Sequence, residues 1–323
     1  MSKPATILPY ATPTPSRREA EIGLAYGVAA YAWWGLIPIY FKWVAHLAPL
    51  SVLAHRVIWS FVFLGILVAA RRRWDEVRDV LARPRTLLLL AGSTIGLAGN
   101  WGTFIYAVSN NLVLQASLGY FVVPLVSVFL AVVVLKERLR RWQVIGLTLA
   151  AVGVGVLTYA RGTLPWIALV IAFSWSSYAL LRKIAHVGPT VGVAVETAML
   201  VPVAALYLLV TPPASARGMD GKDYALLVLA GVVTALPLLW FTAAAKRLRL
   251  TTLGFLQYGA PIGQFLLAVM VYDEEFGTWN FVGFAFIWAA LIVYTIDSLR
   301  AYRAATAPPA DQDAGELPAI AEI

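Results

Sequence analysis

The chain has 323 residues, of which 60% are apolar and 13% charged, with a formal net charge of +8. An ordinary soluble domain carries roughly a quarter charged residues, and no water-soluble core could hide this much apolar surface, so the surplus must face a lipid bilayer. The sequence holds no cysteine, which excludes disulfide and thiolate chemistry, and its three histidines (His46, His55, His186) are too scattered for a metal centre; neither metal nor cofactor is expected.

Residues 1–21 are polar, rich in Pro, Thr and Ser, and carry Lys3, Arg17 and Arg18. They predict a disordered N-terminal segment and a retained first helix, because the apolar run that follows is full length and has no small-residue cleavage site. A membrane-spanning helix needs about 20 largely apolar residues. Ten stretches qualify: 22–43, 51–70, 86–108, 112–135, 142–160, 163–183, 190–210, 224–245, 252–272 and 278–299. The predicted fold is therefore all-α, a polytopic membrane bundle of ten transmembrane helices. Only the connections 71–85 and 211–223 are long, so no soluble domain fits between spans. The tail, 301–323, contains Pro308, Pro309, Asp311 and Glu316 and reads as disordered.

Basic residues give a test independent of hydropathy, because Lys and Arg collect in cytoplasmic loops. With the N-terminus inside, twenty basic residues fall on inside segments and four (Lys42, Arg161, Arg217, Lys222) outside; Arg56 lies within a span. That imbalance predicts both termini in the cytoplasm. It also accounts for the net positive charge without nucleic acid as a partner.

An internal duplication is visible. An offset of 137 residues sets Ala107 on Ala244, Pro124 on Pro261, Glu137 on Glu274, Trp142 on Trp279 and Gly146 on Gly283. An offset of 141 sets Trp34 on Trp175, Lys42 on Lys183 and His55 on Glu196. The repeat unit is five helices, 22–160 and then 163–299. An odd number forces the second copy to run inverted, a recurrent plan in transporters that provides two nearly equivalent packings for alternating access.

Several residues inside the apolar runs could carry chemistry. Pro124 and Pro261 leave the carbonyls of Tyr120 and Gln257 without donors, which predicts kinked helices bordering a cavity; Gln115, Ser117, Tyr120 and Gln257 are polar neighbours. Tolerated kinks are the alternative, and Pro38, Pro202 and Pro237 are read that way. Arg56, beside His55, and Glu196 each cost at least about 2.5–3.5 kcal/mol in a span. They could bind solute, Glu196 could carry a proton, or the two could neutralise each other. Inverted topology puts about 10–15 Å of helix rise between them, so a direct salt bridge would be strained. Asn100 and Trp240 are further lining candidates. Trp33 and Trp34 are assigned to packing, and Lys42 to an interfacial cation that snorkels to water. Gly92-x-x-x-Gly96 and Gly259-x-x-x-Gly263 allow close helix approach. Glu137 and Glu274 read as helix-end structure.

The stretch Ala32-Trp33-Trp34-Gly35-Leu36-Ile37-Pro38-Ile39-Tyr40-Phe41-Lys42, with His55-Arg56-Val57-Ile58-Trp59-Ser60, resembles the RarD family. So do Ala116-Ser117-Leu118-Gly119-Tyr120-Phe121 leading to Pro124-Leu125, and Lys136-Glu137-Arg138-Leu139. That family belongs to the EamA group of the drug/metabolite transporter superfamily. The resemblance covers about residues 20–300 and implies a ten-helix permease of the bacterial inner membrane with two EamA repeats. Lys42, His55, Arg56, Ser117, Tyr120, Pro124 and Glu196 are the positions it carries over, without assigned contacts.

The expected function is secondary transport of a small organic solute, with protons as a coupling ion through Glu196; no phosphate-binding loop is present. The expected partners are the bilayer, the solute and protons, with a homodimer left open. A non-transporting scaffold or sensor is the alternative. An intramembrane enzyme would need clustered His, Asp or Glu at one membrane face, and none is found.

Overall fold

The computed structural model describes residues 17–136, 139–211, 219–245, 247–248, 252 and 256–306. Among these residues the chain is helical throughout, with no strand. In order the helices are α1 (Arg17–Trp43), α2 (Pro49–Ala70), α3 (Trp74–Leu81), α4 (Pro84–Ser109), α5 (Val113–Leu135) and α6 (Arg141–Arg161). They continue as α7 (Trp166–Ala185), α8 (Pro189–Val210), α9 (Gly221–Ala245), α10 (Gly259–Met270) and α11 (Thr278–Thr306).

Eight of these are long and apolar enough to cross a membrane: α1, α2, α4, α5, α6, α8, α9 and α11. The other two predicted spans count, among the described residues, as shorter apolar helices, Trp166–Arg182 and Gly259–Met270. The helix α7 itself runs on to Ala185, and residues 253–255 lie outside the described residues before α10. A turn at Gln257 and Tyr258 precedes it, and Pro261 sits in its first turn, where a missing backbone donor costs nothing. Pro261 is thus at a helix start among the described residues, not at the mid-helix kink its partner Pro124 occupies inside α5.

The ends also moved. Pro49, Pro84 and Pro189 begin α2, α4 and α8, a position for which proline is pre-organised, so these helices start before their apolar stretches do. Residues 17–21 belong to α1, where Glu19 favours the positive end of the helix dipole, and α11 runs on through residue 306. Residues 1–16 and 307–323, Glu137 and Arg138 lie outside the described residues. The helix α3 was not expected: eight residues of the 71–85 connection fold, with Asp75 and Glu76 in the first turn and Arg73 bonding Glu76.

Large apolar side chains cover the outside of the bundle. Ile95 is 76% exposed and Leu209 83%, a surface suited to lipid and not to water. Inside, α6 packs on α11, α4 and α5 on α7, α2 on α8 and α9, α1 on α9 and α10, and α5 on α10. The crossing of α1 and α10 is backbone on backbone: a Cβ on Gly263 would lie 2.9 Å from the Cα of Gly35.

Two prolines show how the bundle satisfies freed carbonyls. Pro38 cannot donate to Trp34 in α1, and Gln264 Nε2 of α10 donates to that carbonyl at 3.0 Å. Pro237 cannot donate to Val233 in α9, and Trp33 Nε1 of α1 donates there at 3.1 Å. Both are kinks repaired from a neighbouring helix.

Candidate functional site

A cavity of about 540 Å³ lies in the centre of the bundle. Its wall comes from α1, α2, α4 and α5 and from α7, α8, α9 and α10; neither α6 nor α11 contributes. Aromatic rings dominate it, among them Trp34, Trp101, Phe104, Tyr120 and Trp175. The charged side chains among the lining residues are both arginines, Arg56 and Arg182.

Arg56 is 6% exposed. Its Nε donates to Thr234 Oγ1 at 3.0 Å, and its Cζ stands 4.1 Å from the ring centre of Trp101 and 5.3 Å from that of Phe41. No carboxylate among the described residues pairs with it. Cation–π contacts contribute about 2 kcal/mol or more when desolvated, and the effective penalty for a buried ion is several kcal/mol. The two rings therefore offset part of that cost without supplying a counter-ion.

Glu196 is fully buried and points elsewhere. Ser93 Oγ donates to its Oε1, the Tyr178 hydroxyl lies 3.5 Å from Oε2, and Arg182 Nε lies 3.7 Å from Oε1. Arg56 and Glu196 do not pair with each other; each has its own partners. Arg182 also donates through Nη2 to the carbonyls of Val187 and Gly188, at 3.2 and 3.1 Å, while Nη1 is buried without an acceptor. Its guanidinium lies against the backbone of α8, and any Cβ on Gly192 would collide with it. Arg182 and Lys183 are among the twenty basic residues that the charge count assigns to inside segments; Arg182 is also a wall residue.

Tyr120 donates to Asn100 Oδ1 at 3.0 Å, and Asn100 Nδ2 reaches the Ile171 carbonyl at 3.3 Å and Ser174 Oγ at 3.4 Å. Both line the cavity, as do Gln257, Pro124 and Pro261. Ser117 is buried beside it and donates to the Pro261 carbonyl at 2.9 Å, tying α5 to α10. Gln115 does not line the cavity, and its Oε1 is buried without a donor. His55 and Trp240 are likewise off the wall. Trp240 packs edge-on against Trp33, 5.7 Å between ring centres, so of the tandem tryptophans Trp33 serves packing and Trp34 faces the cavity.

Lys42 sits at the far end of α1, bonded to Asn111 Oδ1 and 4.8 Å from the ring centre of Tyr272. Close by, Glu274 accepts from the backbone N–H groups of Val113 and Leu114 at 2.7 and 2.8 Å, capping α5. That is the helix-end role expected for it. His46 pairs with Asp223 at 3.0 Å at the α9 N-terminus.

Sequence reasoning missed Arg182, Tyr178, Ser93 and Thr234. Ser93 and Thr234 carried a usable signal: they are related by the same 141-residue offset as His55 and Glu196.

A multi-helix membrane bundle around a mostly apolar cavity is the build of a membrane transport protein. The signature of the EamA-like transporter family matches residues 21–159. The chain is 45% identical to Protein RarD of Salmonella typhimurium over 88% of its own length and 98% of that protein. It is 44% identical to an uncharacterized transporter of Vibrio cholerae over 90% and 98%. It is also 31% identical to the chloramphenicol-sensitive protein RarD of Pseudomonas aeruginosa, over 87% and 96%. A solved crystal structure shares the fold at a TM-score of 0.54 and 21% identity, covering 88% of this chain and 100% of that one. The chain belongs to the RarD group of EamA-type transporters.

Proposed function

We propose that this chain carries a small organic solute across the bacterial inner membrane by alternating access, through ten membrane helices arranged as two inverted repeats of five. The observation that carries the reading is the cavity: four helices of each half wall it, and its volume of about 540 Å³ falls in the range of small-molecule sites.

The inverted arrangement is supported by the contact between α6 and α11. A Cβ on Gly146 would meet the Ala290 carbonyl at 3.4 Å, and one on Gly153 would meet the Gly283 carbonyl at 2.8 Å. The 137-residue offset turns each of these pairs into the other. Early residues of one helix touch late residues of the other, as a local two-fold axis requires. The helix packing behaves alike: exchanging the two sets of five helices turns α1 on α9 into α7 on α4, and α1 on α10 into α7 on α5.

Glu196 is the proposed proton site. It is the buried carboxylate next to the cavity wall, and Arg182, which holds it, faces the solute space. Protonation would release Arg182, and solute binding would bias that release, which is the coupling a proton-driven carrier needs. The distribution of basic residues supports a cytoplasmic position for both termini.

The test is flux in reconstituted vesicles. Wild type is expected to move a member of a labelled metabolite and antibiotic panel, faster with a proton gradient. Glu196→Gln is expected to keep exchange and lose the response to the gradient. A folded wild type that moves nothing above empty vesicles would favour a non-transporting scaffold or sensor.

A further inference from the structure

The cavity wall is chemically one-sided. Its charged lining residues are both cations, and no carboxylate lines it among the described residues. Arg182 already has Glu196 as counter-ion and two carbonyls on Nη2. Arg56 has a hydroxyl on Nε and two aromatic rings, and its two terminal nitrogens have no acceptor among the described residues.

The two halves make this asymmetry sharper. The 141-residue offset relates Ser93 to Thr234 and Phe41 to Arg182, and brings Glu196 to within one position of Arg56. Ser93 bonds Glu196 just as Thr234 bonds Arg56. Arg182 faces Glu196 just as Phe41 faces Arg56. Each half thus has one buried ionisable residue in an equivalent seat, between a hydroxyl and the matching residue of its first helix. In the second half that residue is a carboxylate with its cation present. In the first half it is a cation, and a phenyl ring stands where an opposite charge would be.

We propose that Arg56 is the seat for the carboxylate of an aromatic organic acid, so that the solute supplies the counter-ion the protein leaves out. A guanidinium with both terminal nitrogens open accepts a carboxylate as a fork on a fork. Trp101 under the guanidinium holds the fork in one plane, and Trp34, Tyr120, Phe104 and Trp175 offer faces for the ring of the acid. A neutral or cationic solute would leave Arg56 buried and unpaired, which selects against it. The inference rests on the carrier reading for its biological meaning but not for its test.

The test is tryptophan-fluorescence titration of the detergent-solubilised protein with matched pairs: phenylacetate against phenylacetamide, and benzoate against benzamide. The acids are expected to bind wild type at least about tenfold tighter than their amides, the size of a buried charge-assisted hydrogen bond. Arg56→Gln should erase that preference. Arg56→Lys, which keeps the buried charge and loses the fork, should weaken the acids several-fold and keep part of the preference, so the test survives if Arg56→Gln does not fold. Equal binding of acids and amides by folded wild type, no binding of either, or a preference intact in Arg56→Gln would overturn the proposal. Vesicle flux separates this failure from that of the carrier reading. Transport of the acids at wild-type rates in Arg56→Gln leaves a carrier without an acid seat. Arg56-dependent binding without any flux leaves an acid seat without a carrier.

Discussion

Arg182 and Glu196 show what a single side chain does in this interior. Removing one member of a buried pair strands the other, at a cost of about 3–5 kcal/mol. Arg182→Ala is therefore expected to lower stability by about 3 kcal/mol, and adding Glu196→Gln to restore a good part of it; a thermal-unfolding double-mutant cycle in detergent measures both. Gln264 is a second case. Its Nε2 is the donor on the carbonyl that Pro38 frees, so Gln264→Leu should cost about 1–3 kcal/mol, read in the same assay. The sequence exposes Arg56 and Glu196 because ionisable groups in apolar runs are rare. It does not expose their partners. Which hydroxyl or ring meets them depends on how far each helix is rotated about its axis, and hydropathy reports depth without rotation. For that reason Trp240 and His55 resembled wall residues and are not, while Arg182, near a helix end, counted as an inside charge and lines the wall.

At the level of elements, apolar length located every long helix of the described chain, because about 20 apolar residues have few other uses. The same signal is blind to α3, whose eight residues include three acidic ones, and to the turn at Gln257 and Tyr258 before α10, which breaks the helix without adding a charge. The pairing of α6 with α11 depends on glycine at the crossing. Gly153→Leu would drive a side chain into the Gly283 carbonyl, and overpacking of this kind costs about 1–3 kcal/mol. Neither helix lines the cavity, so the variant should melt earlier while its ligand affinity stays that of wild type. Glu274→Ala removes the acceptor of two backbone donors at the start of α5. A loss of about 1–2 kcal/mol follows from the lost cap, again seen as an earlier thermal transition.

For the whole molecule, orientation is the most direct thing to measure. The native chain has no cysteine, so single introduced thiols report cleanly. Asp75→Cys on α3 is expected to react with an impermeant maleimide only from the cytoplasmic side, and Gly277→Cys, before α11, only from outside; the reverse pattern would invert the bundle. Orientation decides which compartment's solutes meet the cavity first, and it also sets the sign of every electrical effect on the cycle.

Arg56 brings such an effect with it. Without an acid bound, the first-half seat carries one uncompensated positive charge; with the proposed acid bound, it is neutral. The loaded carrier would then cross the membrane field without electrical work at this seat. The empty carrier, on its way back, would move a charge worth about 2.3 kcal/mol per 100 mV for a full crossing. Voltage would thus set the pace of the return half of the cycle, and polarising the vesicles would alter net flux while leaving solute-for-solute exchange untouched.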